Sequence, residues 1–122
     1  MRNLGDLEAA IMDRLWSRRR PASVRDVLEE LRQEREIAYT TVMTVMDKLH
    51  KKGLLRRQAV GKAYVYETVS SKEAYTARLM RETLAAGGNQ AATLVHFLEG
   101  MTPEESAALE SALQVYPPKH RE

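Results

Sequence analysis

Apolar residues recur three and four positions apart in three successive stretches at the start of the chain. These stretches cover residues 4–17, 23–33 and 39–52, and in each the spacing places the apolar side chains on one helical face. Ser23, followed three positions later by Asp26, is typical of a capping box at the start of the second stretch. The pattern therefore predicts three amphipathic helices in the first half of the chain.

The pattern changes after the third helix, from helical spacing to two strand-like runs. The runs are Leu54–Gln58 and Ala63–Val69, and the second is rich in aromatic and β-branched residues. A connection at Ala59–Lys62, which contains Gly61, separates them. The sequence predicts a β-hairpin here, and three helices followed by a basic hairpin are the order of a winged helix-turn-helix domain.

The rest of the chain returns to helical spacing and predicts three more helices, at 71–86, 89–100 and 102–116. Gly87–Gly88 forms the first break, and Thr102–Pro103 is a helix start signal. So short a segment cannot enclose a core of its own, so we expect a second copy of the chain to cover its apolar stripes; packing against the first domain is the alternative. The residues expected at this dimer interface are Tyr75, Leu79, Leu94, Phe97, Leu98, Leu109 and Leu113.

The expected fold is therefore mostly α-helical with a small β-hairpin. Residues 1–69 are expected to form a winged helix-turn-helix DNA-binding domain, and residues 70–116 a helical dimerisation segment. Residues 117–122 are expected to be a flexible tail.

Composition limits the classes of protein that the chain can belong to. With 43% hydrophobic and 30% charged residues, it falls in the soluble globular range. The absence of cysteine excludes disulfides and thiolate metal sites, and it is compatible with a reducing compartment. No run approaches the roughly 18 apolar residues of a membrane-spanning helix, and no signal peptide is apparent at the N-terminus. We therefore expect a cytoplasmic protein without membrane insertion.

Positive charge is concentrated in the first part of the chain, although the net charge of the whole is only +2. Residues 1–69 hold 14 basic and 10 acidic residues, whereas residues 70–122 hold 5 and 7. Six cations and no acid fall between residues 48 and 62. Such a run is typical of a surface that faces a polyanion, and a merely solvated surface is the alternative.

The outer face of the third helix is the expected DNA-reading surface. Short hydroxyl side chains at its start let the backbone approach a major groove, and lysines further along reach phosphates. The basic hairpin residues fit a wing that lies along the DNA backbone or in the minor groove. Asp47, on the same helix, is expected to pair with Lys51, with acceptance of a hydrogen bond from a cytosine amine as the alternative. The expected DNA-binding residues are Thr40, Thr41, Thr44, Lys48, Lys51, Lys52, Arg56, Arg57 and Lys62.

No group of residues in the sequence predicts catalysis or metal binding. The three histidines, His50, His96 and His120, are scattered along the chain with no second ligand at helical spacing. The chain also lacks a Gly-x-Ser-x-Gly motif and a glycine-rich phosphate loop. We therefore expect no enzyme activity, no metal and no cofactor.

Three segments carry a resemblance to a known family. The stretch Tyr39–Leu54 resembles the recognition helix of the penicillinase repressors of the BlaI/MecI type, Leu7–Trp16 is similar to their first helix, and Tyr64–Tyr66 to their wing. The resemblance implies a homodimeric transcriptional repressor. Its partner would be double-stranded operator DNA with inverted repeats, often with a TACA/TGTA core, in front of resistance, cell-wall or copper-handling genes.

The resemblance also implies a means of relief from repression. In β-lactam-responsive relatives, a membrane sensor-protease triggers cleavage of an Asn-Phe bond in the dimerisation region. The similar position here is His96–Phe97, which keeps the Phe and lacks the Asn. Cleavage at this bond is a hypothesis. Copper-responsive relatives use C-terminal cysteines, which this chain lacks, so copper sensing is not expected.

Two other functions remain open at the level of sequence. The basic surface could meet an acidic protein, because some winged-helix domains bind proteins rather than DNA. Alternatively, a small-molecule-responsive regulator would have a ligand pocket between the winged domain and the C-terminal helices.

Overall fold

The computed structural model describes residues 4–119, so Met1–Asn3 and His120–Glu122, the end of the expected tail, lie outside the described residues. It confirms a mostly helical winged fold with a small antiparallel sheet. The elements in chain order are α1 (Asp6–Ser17), β1 (Ala22–Ser23), α2 (Val24–Leu31), α3 (Tyr39–Lys51), β2 (Leu55–Val60), β3 (Ala63–Thr68), α4 (Lys72–Ala86), α5 (Gln90–Glu99) and α6 (Pro103–Val115).

The sheet has the strand order β1-β3-β2, and both pairings are antiparallel. Strands β2 and β3 form the wing, in which Val60 pairs with Ala63. The connection is therefore shorter than the sequence predicted and consists of Gly61 and Lys62 alone. Gly61 has a φ of 62°, a left-handed conformation that glycine adopts without the steric cost of a Cβ atom.

Strand β1 is an addition to the predicted elements. The structure pairs the segment after Pro21 with the wing, Ala22 opposite Tyr66 and Ser23 opposite Val65. Two residues are too few to show the alternating pattern by which a strand is recognised. The pairing ties the start of α2 to the base of the wing.

The core lies between α1, α2, α3 and the sheet. Each of the three helices buries the apolar face that its spacing predicted, and Leu55 and Tyr66 close the core from the wing side. The start of α2 has the predicted capping box: the Asp26 N–H donates to Ser23 Oγ at 3.1 Å, and the Ser23 N–H donates to Asp26 Oδ2 at 2.9 Å. The second of these bonds is the main cause that lowers the pKa of Asp26.

The chain divides into two compact units between Met80 and Arg81, within α4. The N-terminal unit holds α1–α3, the sheet and the first part of α4, and the C-terminal unit holds the rest of α4 with α5 and α6. The expected division into a DNA-binding domain at residues 1–69 and a dimerisation segment at residues 70–116 concerns function, and it stays a prediction.

Tyr75 anchors the first part of α4 to the N-terminal unit. Its side chain is only 9% exposed, and its ring centroid lies 5.5 Å from that of Trp16. The indole N–H of Trp16 donates to the carbonyl oxygen of Ser70 at 3.0 Å, just before α4 begins. Leu79 also packs against the core. Both residues were expected at a dimer interface, and that expectation stays a prediction; in the single chain their side chains pack within the N-terminal unit.

We expect Tyr75→Ala to lower the free energy of unfolding by about 3 kcal/mol, because it removes a buried aromatic ring and leaves a cavity beside Trp16. Urea denaturation followed by circular dichroism measures this change. Met80→Ala is the matched control on the same helix, since Met80 is 59% exposed. Equal and small effects of the two substitutions would show that Tyr75 does not belong to the core.

Candidate nucleic-acid interface

The two faces of α3 differ sharply in exposure. Val42, Met46 and Leu49 are fully buried, as their spacing predicted. The helix packs on α1, α2 and β2, so one of its faces is buried in the core. The polar residues on the other side are accessible from solvent at the start and along the length of the helix. Those exposed are Thr40, Thr41, Thr44, Lys48 and Lys51.

A helix-terminating turn sets the position of the wing relative to α3. The Gly53 N–H donates to the His50 carbonyl oxygen at 3.0 Å, and the Leu54 N–H donates to the Leu49 carbonyl oxygen, also at 3.0 Å. Gly53 has a φ of 85°, and these two bonds form a Schellman motif, the commonest helix ending with a left-handed glycine. The turn leads from α3 directly into β2, so that the helix and the wing are joined without a flexible linker.

Lys52 is paired with the first helix. Its Nζ lies 2.7 Å from Glu8 Oε2, and this hydrogen bond is the main cause that lowers the pKa of Glu8. The structure therefore does not group Lys52 with the two solvent-facing lysines of α3, Lys48 and Lys51. Its expected contact with DNA stays a prediction.

The basic residues of the wing lie in three different settings. Lys62 is exposed at the tip, in the two-residue connection. Arg56 is exposed on β2, with its Nε 2.8 Å from Oε1 of Glu67 on the neighbouring strand. Arg57, the next residue, turns back toward α3, and its side chain is only 23% exposed. The three expected DNA contacts of the wing are thus not equivalent.

Asp47 forms ion pairs with one residue of α3 and one residue of the wing. Its Oδ2 lies 3.0 Å from Lys51 Nζ, which confirms the pair predicted from their spacing. Its Oδ1 accepts a hydrogen bond from Arg57 Nη1 at 2.8 Å. The hydrogen bond with Lys51, and then that with Arg57, lowers the pKa of Asp47 below its usual value. The carboxylate is therefore ionised at neutral pH, and its negative charge is balanced by the positive charges of Lys51 and Arg57.

The sequence pattern did not reveal the Asp47–Arg57 contact. The two residues are ten positions apart and lie on different elements, so neither helical nor strand spacing brings them together. Tyr66 is a buried packing residue of the sheet. Tyr64 is 46% exposed, and the guanidinium of Arg57 lies over its ring.

Arg25 was also not singled out from the sequence. It is an exposed residue of α2 whose guanidinium carbon lies 5.6 Å from the centroid of the Tyr39 ring, at the first residue of α3. This contact places one more cation beside the hydroxyl-rich start of α3. An isolated arginine on a helix has no local signal that would have identified it.

The C-terminal unit presents apolar side chains to solvent. Neither α5 nor α6 has a buried residue in the single chain. The five expected dimerisation residues on these helices, all exposed, are Leu94, Phe97, Leu98, Leu109 and Leu113. The His96–Phe97 bond lies inside α5, and His96 Nδ1 is 3.2 Å from Glu99 Oε1.

A cavity of about 310 Å³ beside the start of α4 is lined by Asp13, Trp16 and Lys72, among others, and an ion pair of 3.0 Å joins the first and last of these. Between residues 4 and 119, no group of histidine and acidic side chains is arranged to hold a metal ion. No helix in the same range has the length and apolar character needed to cross a bilayer.

The fold and this surface define a winged helix-turn-helix protein of the kind that regulates transcription. A match to the family described as penicillinase repressor covers residues 4–115. The chain belongs to the penicillinase repressor family, and it is a transcriptional regulator of that family.

Two relatives agree with this assignment. They are the transcriptional regulators BlaI of Mycobacterium tuberculosis strains CDC 1551 / Oshkosh and ATCC 25618 / H37Rv, each 45% identical to this chain over 113 residues. The alignments cover 90% of this chain and 82% of each relative. Among solved structures, one from a study of the DNA recognition and protein interaction domains of HOP2 aligns with 50% of this chain and 95% of its own, at 26% identity and a TM-score of 0.47.

Proposed function

We propose that the chain is a homodimeric repressor that binds inverted-repeat operator DNA, with α3 in the major groove and the wing against the DNA backbone. The observation that carries the proposal is the division of α3 into a buried apolar face and an exposed face of hydroxyls and lysines. We further propose that it acts in the cytoplasm on genes of the kind that BlaI-type repressors control, β-lactam-resistance genes among them.

The exposed residues of α3 suit two different tasks in a groove. Thr40, Thr41 and Thr44 are short, so they let the helix backbone come close to base edges, and their hydroxyls and methyls can contact bases or phosphates. Lys48 and Lys51 are long and exposed, and they can reach the phosphates that flank the groove. Position on the operator would then be set mainly by the cations, and discrimination between sequences by the threonines and by DNA shape.

Dimerisation would supply the affinity that one winged domain lacks. The exposed apolar residues of α5 and α6 have no cover in the single chain, and a second copy presents the same residues in a twofold arrangement. Two linked recognition helices can meet successive major grooves about 34 Å apart, which matches an inverted repeat. Tyr75 and Leu79 were also expected in this interface, but their packing in the N-terminal unit favours the apolar residues of α5 and α6.

Fluorescence anisotropy tests DNA binding with a labelled duplex from upstream of the protein's own gene, against a scrambled duplex of the same composition. We expect preference for the native duplex and strong weakening with salt. Lys48→Gln should reduce the magnitude of the salt slope by about 1, because one phosphate contact is lost. Lys119→Gln, in the C-terminal tail, is the control and should leave the slope unchanged. Absence of binding even at low salt would favour the protein-interaction alternative.

Analytical ultracentrifugation tests the dimer. We expect the wild-type chain to sediment as a dimer at micromolar concentration and Phe97→Asp to sediment as a monomer, because a charge would be buried in the interface without a partner. Val60→Asp is the matched control, since Val60 on the wing is 57% exposed and Phe97 is 56% exposed. A dimer that survives Phe97→Asp would place the interface elsewhere.

We further propose that cleavage of the His96–Phe97 bond by a sensor-protease relieves repression. The bond is helical in α5, so a protease must first unwind this segment. This opening would cost less in a dissociated chain, where α5 has no buried residue, than in the proposed dimer, where Phe97 is covered. Incubation with the activated cognate sensor-protease and mass spectrometry should reveal a fragment that ends at His96. Intact chain, under conditions that cleave a BlaI-type substrate, would exclude cleavage at this position.

A further inference from the structure

Arg57 connects the wing to α3 through several contacts at once. Its Nη1 donates to Asp47 Oδ1 at 2.8 Å, and it lies 3.4 Å from Oη of Tyr66. Its guanidinium carbon lies 4.2 Å from the centroid of the Tyr64 ring. The neighbouring Arg56, in contrast, pairs across the wing with Glu67, its one ion-pair partner among residues 4–119. The Nη1 donor and one face of the Arg57 guanidinium are thus engaged by its own chain.

We propose that Arg57 is a positioning residue that holds the wing at a fixed angle to α3, and that Asp47 is its anchor on α3 rather than a reader of bases. The inference rests on the proposed function, because a fixed angle matters for activity only where helix and wing meet the same duplex. It changes the expectation from the sequence, in which Arg57 was a direct contact to DNA.

The chemistry of the guanidinium suits this task. Its planar, delocalised cation can stack on an aromatic ring while its edge donates to a carboxylate, which a lysine ammonium cannot imitate. These contacts also reduce its capacity to bind a phosphate, because they occupy the ring-facing side and the Nη1 edge. Asp47 is paired with both Arg57 and Lys51, which offset its negative charge. An acidic residue on a helix that faces DNA would therefore repel the phosphates only weakly.

A fixed angle would act on affinity through preorganisation. The Schellman turn at Gly53 joins α3 to β2, but hydrogen bonds at one end of a hairpin do not hold its far end in place. Arg57 lies three residues from Val60, the end of the strand, and ties the middle of β2 to Asp47 on α3. A wing already held in place loses less conformational entropy when it binds.

The variants Asp47→Asn, Arg57→Gln and the double variant form a cycle that tests the proposal by anisotropy with the native duplex. Loss of an acid should strengthen binding to DNA if only charge matters, whereas the positioning role predicts that Asp47→Asn weakens it. We expect each single variant to lose about tenfold in affinity, and the double variant to lose about tenfold rather than a hundredfold, because both break one contact.

The dependence on salt separates positioning from phosphate binding. Arg57→Gln should leave the salt slope unchanged, whereas the loss of a phosphate contact lowers its magnitude by about 1. Arg56→Gln is the matched control: it removes the same charge from the adjacent position of β2 without touching α3. A slope reduced by Arg57→Gln, stronger binding by Asp47→Asn, or a changed preference at one base pair in Asp47→Asn would each overturn the inference.

A measurement without DNA separates this inference from the proposed function. Amide relaxation and hydrogen exchange by NMR on the free protein should show a more mobile wing in Arg57→Gln and Asp47→Asn, but not in Arg56→Gln, with unchanged amides in α1 and α2. Unchanged wing amides in the first two variants would overturn the inference. Wild-type protein that binds neither duplex would overturn the proposed function and, with it, the role of Arg57 in DNA binding, whatever the state of the wing.

Discussion

Val42, Met46 and Leu49 are fully buried in the core of the N-terminal unit, and their burial fixes the rotation of α3 about its own axis. Successive residues of a helix are about 100° apart, so the direction of every other side chain of α3 follows from these three. Thr41 and Lys48 are exposed because they lie outside the face of α3 that these three residues bury. The packing of the core therefore determines which side chains of α3 form the surface proposed to read DNA, and no separate structural element is needed to orient them.

Pairing within the chain then divides the cations of this surface into different kinds. Arg56 and Glu67 form an exposed ion pair, and such pairs contribute about 0–1 kcal/mol, so a phosphate can compete for the arginine. Arg57 combines an ion pair with stacking and a hydroxyl contact, and its release would cost all of them. Counts of positive charge along the sequence treat the two residues as equal, whereas their surroundings do not.

Local signals account for most of what the sequence predicted. Periodicity identified the helices, and the capping boxes at Ser23 and Thr102 have the geometry expected from side chains three residues apart. The features that were missed depend on distant partners. Strand β1, in which Ala22 pairs with Tyr66, is only two residues long. The contact between Arg57 and Asp47 joins the wing to α3, which are separate elements. The apolar stripe that contains Tyr75 does not reveal whether its own chain or a second copy covers it.

The helices α5 and α6 have no buried residue in the single chain, so in the proposed dimer the concentration of the chain would govern how much of it can bind the operator as a pair. With a second copy as their cover, the abundance of the paired form rises as the square of the monomer concentration while the protein is scarce. Occupancy of a symmetric site would then respond more steeply to synthesis and dilution than occupancy by a monomer does. If the concentration of the chain were halved, the concentration of the proposed dimer would fall by up to fourfold while the monomer predominates, so the apolar face would set a concentration threshold for repression.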